Sequence, residues 1–174
     1  REQFTLNEEL SRAVRESFVR LWERDLVYHG ARIVNWDCAL RTAVSDDEIE
    51  MVVRPGNLWF IRYPFADDPA RTVTMATTRP ETLLGDTGVA VHPDDPRFTD
   101  AVGAELVLPL LGRRIPLVAD ASVDPSFGSG AVKVTPGHDP ADYERGARNG
   151  LPIVNILEKD GTLKVLDFGV ARVL

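Results

Sequence analysis

Beyond Gly30 the chain never sustains a long periodic run, because Pro and Gly cut it into short apolar, β-branched stretches. That punctuation constrains the fold more than any other feature. Strands are predicted at 31–36, 49–54, 58–63, 72–77, 87–91, 105–108, 114–118, 131–135 and 153–157, with turns at Pro55-Gly56 and Asp160-Gly161. The loop richest in breakers is 66–70. Ahead of the strands, Leu10, Val14, Phe18, Leu21 and Trp22 recur at helical spacing up to Leu26, and Thr5 with Glu8 forms a capping box. That stripe is core or docking surface. Many short strands with two or three helices predict an α+β, mainly β architecture: a small β-barrel core decorated by a few helices. No internal repeat or low-complexity segment interrupts it.

One strand-to-helix corner concentrates polar chemistry. In GSGAVKVTPGHDPADYE, residues 128–144, Lys133 and Thr135 share one strand face while Val132 and Val134 take the core face. Asp139 before Pro140 reads as a helix N-cap followed by the first helical residue, with Asp142 still in the first turn. Carboxylates there favour the ionised form and can meet a ligand ammonium. Capping and surface exposure account for the same residues without any ligand.

A second stretch, TMATTRPETLLGDTGVAVHP at 74–93, gathers Thr77, Thr78, Arg79 and Thr82 at a strand end. Pro80 excludes a mid-strand position and suits a first helical turn. Thr78 or Arg79 is then the cap, Thr82 faces back toward it, and the short helix ends near Gly85. Local backbone capping is the plainer role for such hydroxyls.

Together these two peptides resemble the signature peptides of the editing domain of valyl-tRNA synthetases, the connective insertion within the nucleotide-binding fold of class I synthetases. Similarity extends through ARIVNWDCALRTAVSDDEIE at 31–50 and covers roughly residues 4–162. The lysine-x-threonine pair at Lys133 and Thr135 favours the valine family over its isoleucine and leucine relatives. Gly137 stands where alanine is usual and Ser129 where threonine is usual. The tail 164–174, KVLDFGVARVL, has no counterpart, and the HIGH-type and KMSKS-type signatures are absent.

The resemblance implies a single editing domain over 1–174, excised from a larger enzyme. Its parts are a helix and linker strands in 1–50, the editing core in 51–163 and an unplaced tail in 164–174. It further implies post-transfer hydrolysis of the ester of threonyl-tRNA(Val), without aminoacylation. The alternative is a domain that binds the aminoacyl-tRNA 3′ end or an amino acid without hydrolysis.

Lys133, Thr135, Asp139 and Asp142 are the implied catalytic set, with Asp139 on the substrate ammonium and Lys133, Thr135 and Asp142 converging on the threonine hydroxyl. Arg79 and Thr82 contact the terminal adenosine and its ribose, Phe127 lines the pocket, and Thr77, Thr78 and His138 complete the binding side. His138 is either a general base or a hydrogen-bonded corner residue. No cofactor or metal is implied for the domain, whereas the parent enzyme uses ATP and magnesium. The implied partners are the 3′ end of tRNA(Val) carrying threonine and the rest of the parent synthetase.

Composition fits this frame. A chain of 174 residues suits one domain that buries about two thirds of its unfolded surface. The lone Cys38 cannot form an internal disulfide, and the expectation is a cytoplasmic, monomeric protein with no membrane segment. His29, His92 and His138 lack ligand spacing. With 20 basic against 27 acidic residues, the net charge of -7 opposes general nucleic-acid binding and predicts weak tRNA affinity for the isolated domain.

Overall fold

Where apolar and polar residues alternate, the chain buries one face of a strand; where apolar residues run without a pairing partner, it leaves them irregular. The computed structural model describes residue 4 and residues 6–163. In order these form α1 (Glu8–Glu23), β1 (Asn35–Asp37), β2 (Thr42–Val44), β3 (Trp59–Pro64), β4 (Thr72–Thr77), β5 (Gly88–Val91), β6 (Glu105–Val107), β7 (Arg114–Ala119), β8 (Ala131–Val134) and α2 (Pro140–Arg148). Short 3-10 turns occupy Asp46–Glu48, Pro80–Gly85 and Thr99–Ala101. The chain divides into two units, Arg1–Arg32 and Ile33–Leu174.

The smaller unit holds α1. Its N-cap is Asn7, whose Oδ1 accepts from Leu10 N at 2.8 Å, and not the expected Thr5, which lies outside the described residues. Asn is as good a cap as Thr, and Glu8 and Glu9 complement the positive helix end. The helix stops at Glu23, before Leu26, because Asp25 turns to φ 54°. None of its residues is buried, and Val14, Phe18, Leu21 and Trp22 leave their stripe exposed.

The larger unit is mainly β, as expected. β3 pairs antiparallel with β4, and a four-stranded sheet runs β6-β7-β5-β8, with β5 parallel to β7 and antiparallel to β8. A bridge between Phe65 and Leu106 joins the hairpin to the sheet, and β8 comes to lie beside β4. The strands thus curl into a ring, although among the described residues no ladder closes β8 onto β4. Tyr63, Met75, Val89, Leu106 and Leu117 fill its interior, each fully buried. β5, Gly-Val-Ala-Val, is buried on both faces: Val89 and Val91 join that interior, and Ala90 packs with Val123 and Val134 in a second cluster. The breaker-rich loop is a tight connection, where Phe65 N donates to Arg71 O at 3.0 Å and the Arg71 guanidinium lies 4.2 Å over the Phe65 ring.

Three expectations need correction. The predicted strand 49–54 is irregular, with Met51 and Val53 almost wholly exposed; β-branched content does not make a strand without a partner ladder. Strand 31–36 shrinks to Asn35–Asp37, paired with the unforeseen Thr42–Val44 across a turn in which Asp37 Oδ1 accepts from Ala39 N and Leu40 N. Of 153–157, only Leu157 bridges, to Leu163, because the preceding backbone packs against the Pro136–His138 corner.

Candidate functional site

Register places the polar face of β8 inside the ring. Lys133 lies opposite Val89 on β5, so its side chain leaves the strand on the same side as the buried Ala131. A lysine there, with 8% of its side chain exposed, needs a counterion. Asp86, wholly buried at the end of the Pro80–Gly85 turn, supplies it at 3.1 Å. Lys133 Nζ also donates to Thr82 Oγ1 at 2.6 Å and to Thr135 Oγ1. Thr135 Oγ1 in turn donates to Asp86 Oδ1 at 2.6 Å, and Tyr63 OH donates to Asp86 Oδ2. β3 through Tyr63, and β8 and its corner through Lys133 and Thr135, therefore meet at one carboxylate, and the 3-10 turn joins them through Thr82 on Lys133.

Burial pushes the Asp86 carboxyl above the usual carboxylate range, while Lys133, Thr135 and Tyr63 pull it back without cancelling the shift. The Tyr63 phenol is pushed far up by burial and by the Asp86 charge, so it stays a donor. Behind the carboxylate, Arg113 Nη2 donates to Leu84 O at 2.9 Å and Asp86 O at 2.6 Å, closing the carbonyl end of the turn. Burial lowers the Arg113 pKa, partly offset by Asp86.

The second carboxylate group is built as the sequence reading expects. Asp139 caps α2, its Oδ1 accepting from Asp142 N at 3.0 Å with Pro140 in the first turn. Asp142 differs from expectation: it is buried, Oδ2 accepts from Thr135 N at 2.9 Å and Oδ1 accepts from Arg145 Nη1 at 2.9 Å. It therefore fixes the Thr135 backbone instead of joining the Lys133 cluster directly. Burial raises its pKa against the Thr135 amide, the reverse of what a helix N-terminus alone does.

The threonine-rich turn joins the same site. Thr77, the last inward residue of β4, accepts from Arg79 N at 3.1 Å, and Thr82 Oγ1 donates to Arg79 O at 2.9 Å. Arg79 Nη1 reaches across to His138 O at 2.7 Å, tying the two signature peptides together. Thr78 and Arg79 are exposed, whereas Thr82 is only 2% exposed and faces Lys133. His138 Nε2 accepts from Ile156 N at 3.0 Å, a bond that ties the corner to the 153–156 backbone. Phe127 sits on the loop before β8 and is 61% exposed. Gly137 is a close approach: a Cβ there falls 2.5 Å from Val154 O.

Sequence reasoning missed Asp86, Tyr63 and Arg113. The signal for Asp86 was present, since a lysine on a buried strand face demands an acid and Asp86 lies within the quoted GDTGVAVHP peptide. Nothing in the sequence pointed to Tyr63 or Arg113. Among the described residues no group of three or more His, Cys, Asp or Glu is placed to hold a metal ion, and no helix is long and apolar enough to cross a membrane.

The ternary complex of Agrobacterium radiobacter K84 agnB2 LeuRS with tRNA and LeuAMS is similar at 29% identity over 51% of this chain and 15% of that one, with a TM-score of 0.39. GlLeuRS-CP1 is similar at 20% identity over 46% of this chain and 47% of that one, also with a TM-score of 0.39. This chain thus spans less than half the length of either. Residues 1–83, which include β3, β4 and the turn as far as Leu83, match the family of class I tRNA synthetases for isoleucine, leucine, methionine and valine.

Proposed function

We propose that this chain is the post-transfer editing domain of a valyl-tRNA synthetase and hydrolyses the ester of threonyl-tRNA(Val). The observation that carries the reading is the buried Lys133–Thr135–Asp86 cluster at the same corner as the Asp139 helix cap. The two peptides that resemble the valine family supply that corner, and the class I match over residues 1–83 supports the parent enzyme.

Valine and threonine differ by a hydroxyl in place of a methyl. A hydrophobic pocket rejects such an isostere only about a hundredfold, a general magnitude for which valyl-tRNA synthetase faced with threonine is itself the type case. A second site must recognise the hydroxyl positively. Thr135 Oγ1 accepts from Lys133 and donates to Asp86, which leaves it one lone pair for a substrate O–H. Asp142 holds the Thr135 backbone in place. Asp139 meets the α-ammonium, Arg79 the terminal adenosine, and the exposed Phe127 ring packs at the mouth.

Water adds to the ester carbonyl, the bond to the 3′-terminal ribose oxygen breaks, that oxygen takes up a proton, and threonine and tRNA leave. The partners are the 3′ end of tRNA(Val) carrying threonine and the remainder of the synthetase, in the cytoplasm. The test is incubation of the chain with threonyl-tRNA(Val) and valyl-tRNA(Val). Release of threonine with valine retained is the expected result. Protection of both esters would replace hydrolysis with the binding reading. N-acetylation of the threonyl group should slow release, because it removes the charge assigned to Asp139.

A further inference from the structure

Lys133 carries three N–H donors, and all three already have partners: Thr82 Oγ1 at 2.6 Å, Asp86 Oδ1 at 3.1 Å and Thr135 Oγ1. With 8% of its side chain exposed, a ligand hydroxyl that reaches it must arrive where one of these now stands. The three are unequal. Asp86 is a fully buried countercharge, so releasing it leaves two uncompensated ions. Thr135 is fixed by strand β8, by its bond to Asp86 and by Asp142 on its backbone. Thr82 carries no charge, sits on a short turn instead of a strand, and keeps its bond from Oγ1 to Arg79 O at 2.9 Å when it lets the lysine go. Its side chain is also the same CH(OH)CH3 group that a threonyl substrate presents.

From this asymmetry we infer that Thr82 is an internal stand-in for the substrate, holding the third Lys133 donor until a threonyl hydroxyl takes its place. The inference rests on the editing reading and adds a specificity-determining residue to it. A ligand without the hydroxyl leaves Thr82 on Lys133 and no donor bare, so the cluster tolerates an empty or wrongly filled pocket without a buried unsatisfied group. The exchange also sets an upper limit on selectivity, because the substrate hydroxyl replaces a bond and does not add one.

Binding of two non-hydrolysable probes tests this: 3′-deoxy-3′-aminoadenosine acylated with threonine, and the same nucleoside acylated with α-aminobutyrate. Thr82→Val keeps the side-chain shape and removes the competitor. The ratio of the two dissociation constants should widen in favour of the threonyl probe by about tenfold, the effect of one otherwise unsatisfied donor. Thr82→Ser should keep the wild-type ratio. An unchanged or narrower ratio in Thr82→Val, or a widened one in Thr82→Ser, would overturn the inference.

If Thr82→Val does not fold, the 13C shift of the Thr82 methyl in wild-type protein decides the matter. It should move with the threonyl probe and stay with the α-aminobutyryl probe; equal movement with both overturns the exchange. Wild-type protein that binds neither probe would instead remove the editing reading itself, and the inference with it.

Discussion

Two buried aspartates in the larger unit carry opposite electrostatic signatures. Asp86 accepts from Lys133, Thr135 and Tyr63 inside the ring, and burial still leaves its carboxyl above the ordinary range. Asp120, at the end of β7, is also pushed up by burial, yet hydrogen bonds from Arg148 and Ser122 hold it well below that range. Asn149 Nδ2 adds a further donor at 3.0 Å. The difference lies in the donors and in water. A forked guanidinium gives Asp120 two parallel bonds, and nearly half of the Arg148 side chain remains exposed, so the pair keeps some solvation. Asp86 shares one ammonium with two hydroxyls in a dry place. Asp120 is a staple between the last turn of α2 and the sheet, whereas Asp86 is held where burial makes its charge costly.

The largest effect should come from separating the Asp86 pair. Lys133→Met leaves a carboxylate buried among apolar groups and should cost about 3–5 kcal/mol in urea unfolding. Lys133→Met with Asp86→Leu should recover much of that, since replacing both charges removes the desolvation penalty. Arg148→Met should cost clearly less than Lys133→Met, because water screens the Asp120 pair. Equal losses would erase the contrast between the two carboxylates.

A smaller effect follows for pH, with opposite signs at the two sites. Asp120 has a lowered pKa, so its stabilisation is present above the unfolded value of about 4 and is lost as pH falls toward the native value. Asp86 has a raised pKa, so in the folded state it holds its proton to higher pH, and stability falls as pH rises from about 4 through its native value. Asp120→Asn should therefore flatten the acid side of the stability profile. Tyr63→Phe should steepen the opposing slope, because the carboxylate loses a donor, at a cost of about 1 kcal/mol at neutral pH. A profile in which both variants shift the same limb in the same direction would contradict the assignment.

A local change is expected at the corner. Gly137→Ala should cost about 1–3 kcal/mol, since its Cβ meets the Val154 carbonyl and the 153–156 backbone must move. A thermal melt that matches wild type would show that this backbone gives way freely.

The sequence made some of this legible for identifiable reasons. Strand 72–77 was readable because Val73, Met75 and Thr77 alternate, and the α2 cap because Asp139 precedes Pro140. Segment 49–54 misled because Ile49, Val52 and Val53 have strand-forming side chains, while pairing is a tertiary property that local composition does not encode. Lys133 and Thr135 were found through spacing, but Asp86, 47 positions away from Lys133, is brought to them only by the antiparallel register of β5 and β8. Asp142 lies in the expected first turn, but its bond to the Thr135 amide is not legible from spacing, because a first-turn carboxylate can serve its own helix, a ligand or a neighbouring backbone amide alike.

The central claim is that the Asp86 cluster is the reacting site and the Asp120 cluster is scaffold. The measurement that tests it most directly is the hydrolysis rate of threonyl-tRNA(Val) in Thr135→Val and Ser122→Ala, each compared with wild type at matched folded fraction. Thr135→Val should lose the preference for threonyl over valyl ester and fall about tenfold in rate, having lost its hydrogen bond to the hydroxyl and left Lys133 and Asp86 each short of a partner. Ser122→Ala should hydrolyse as wild type does. A Thr135→Val protein that clears threonyl-tRNA(Val) at the wild-type rate would contradict the account.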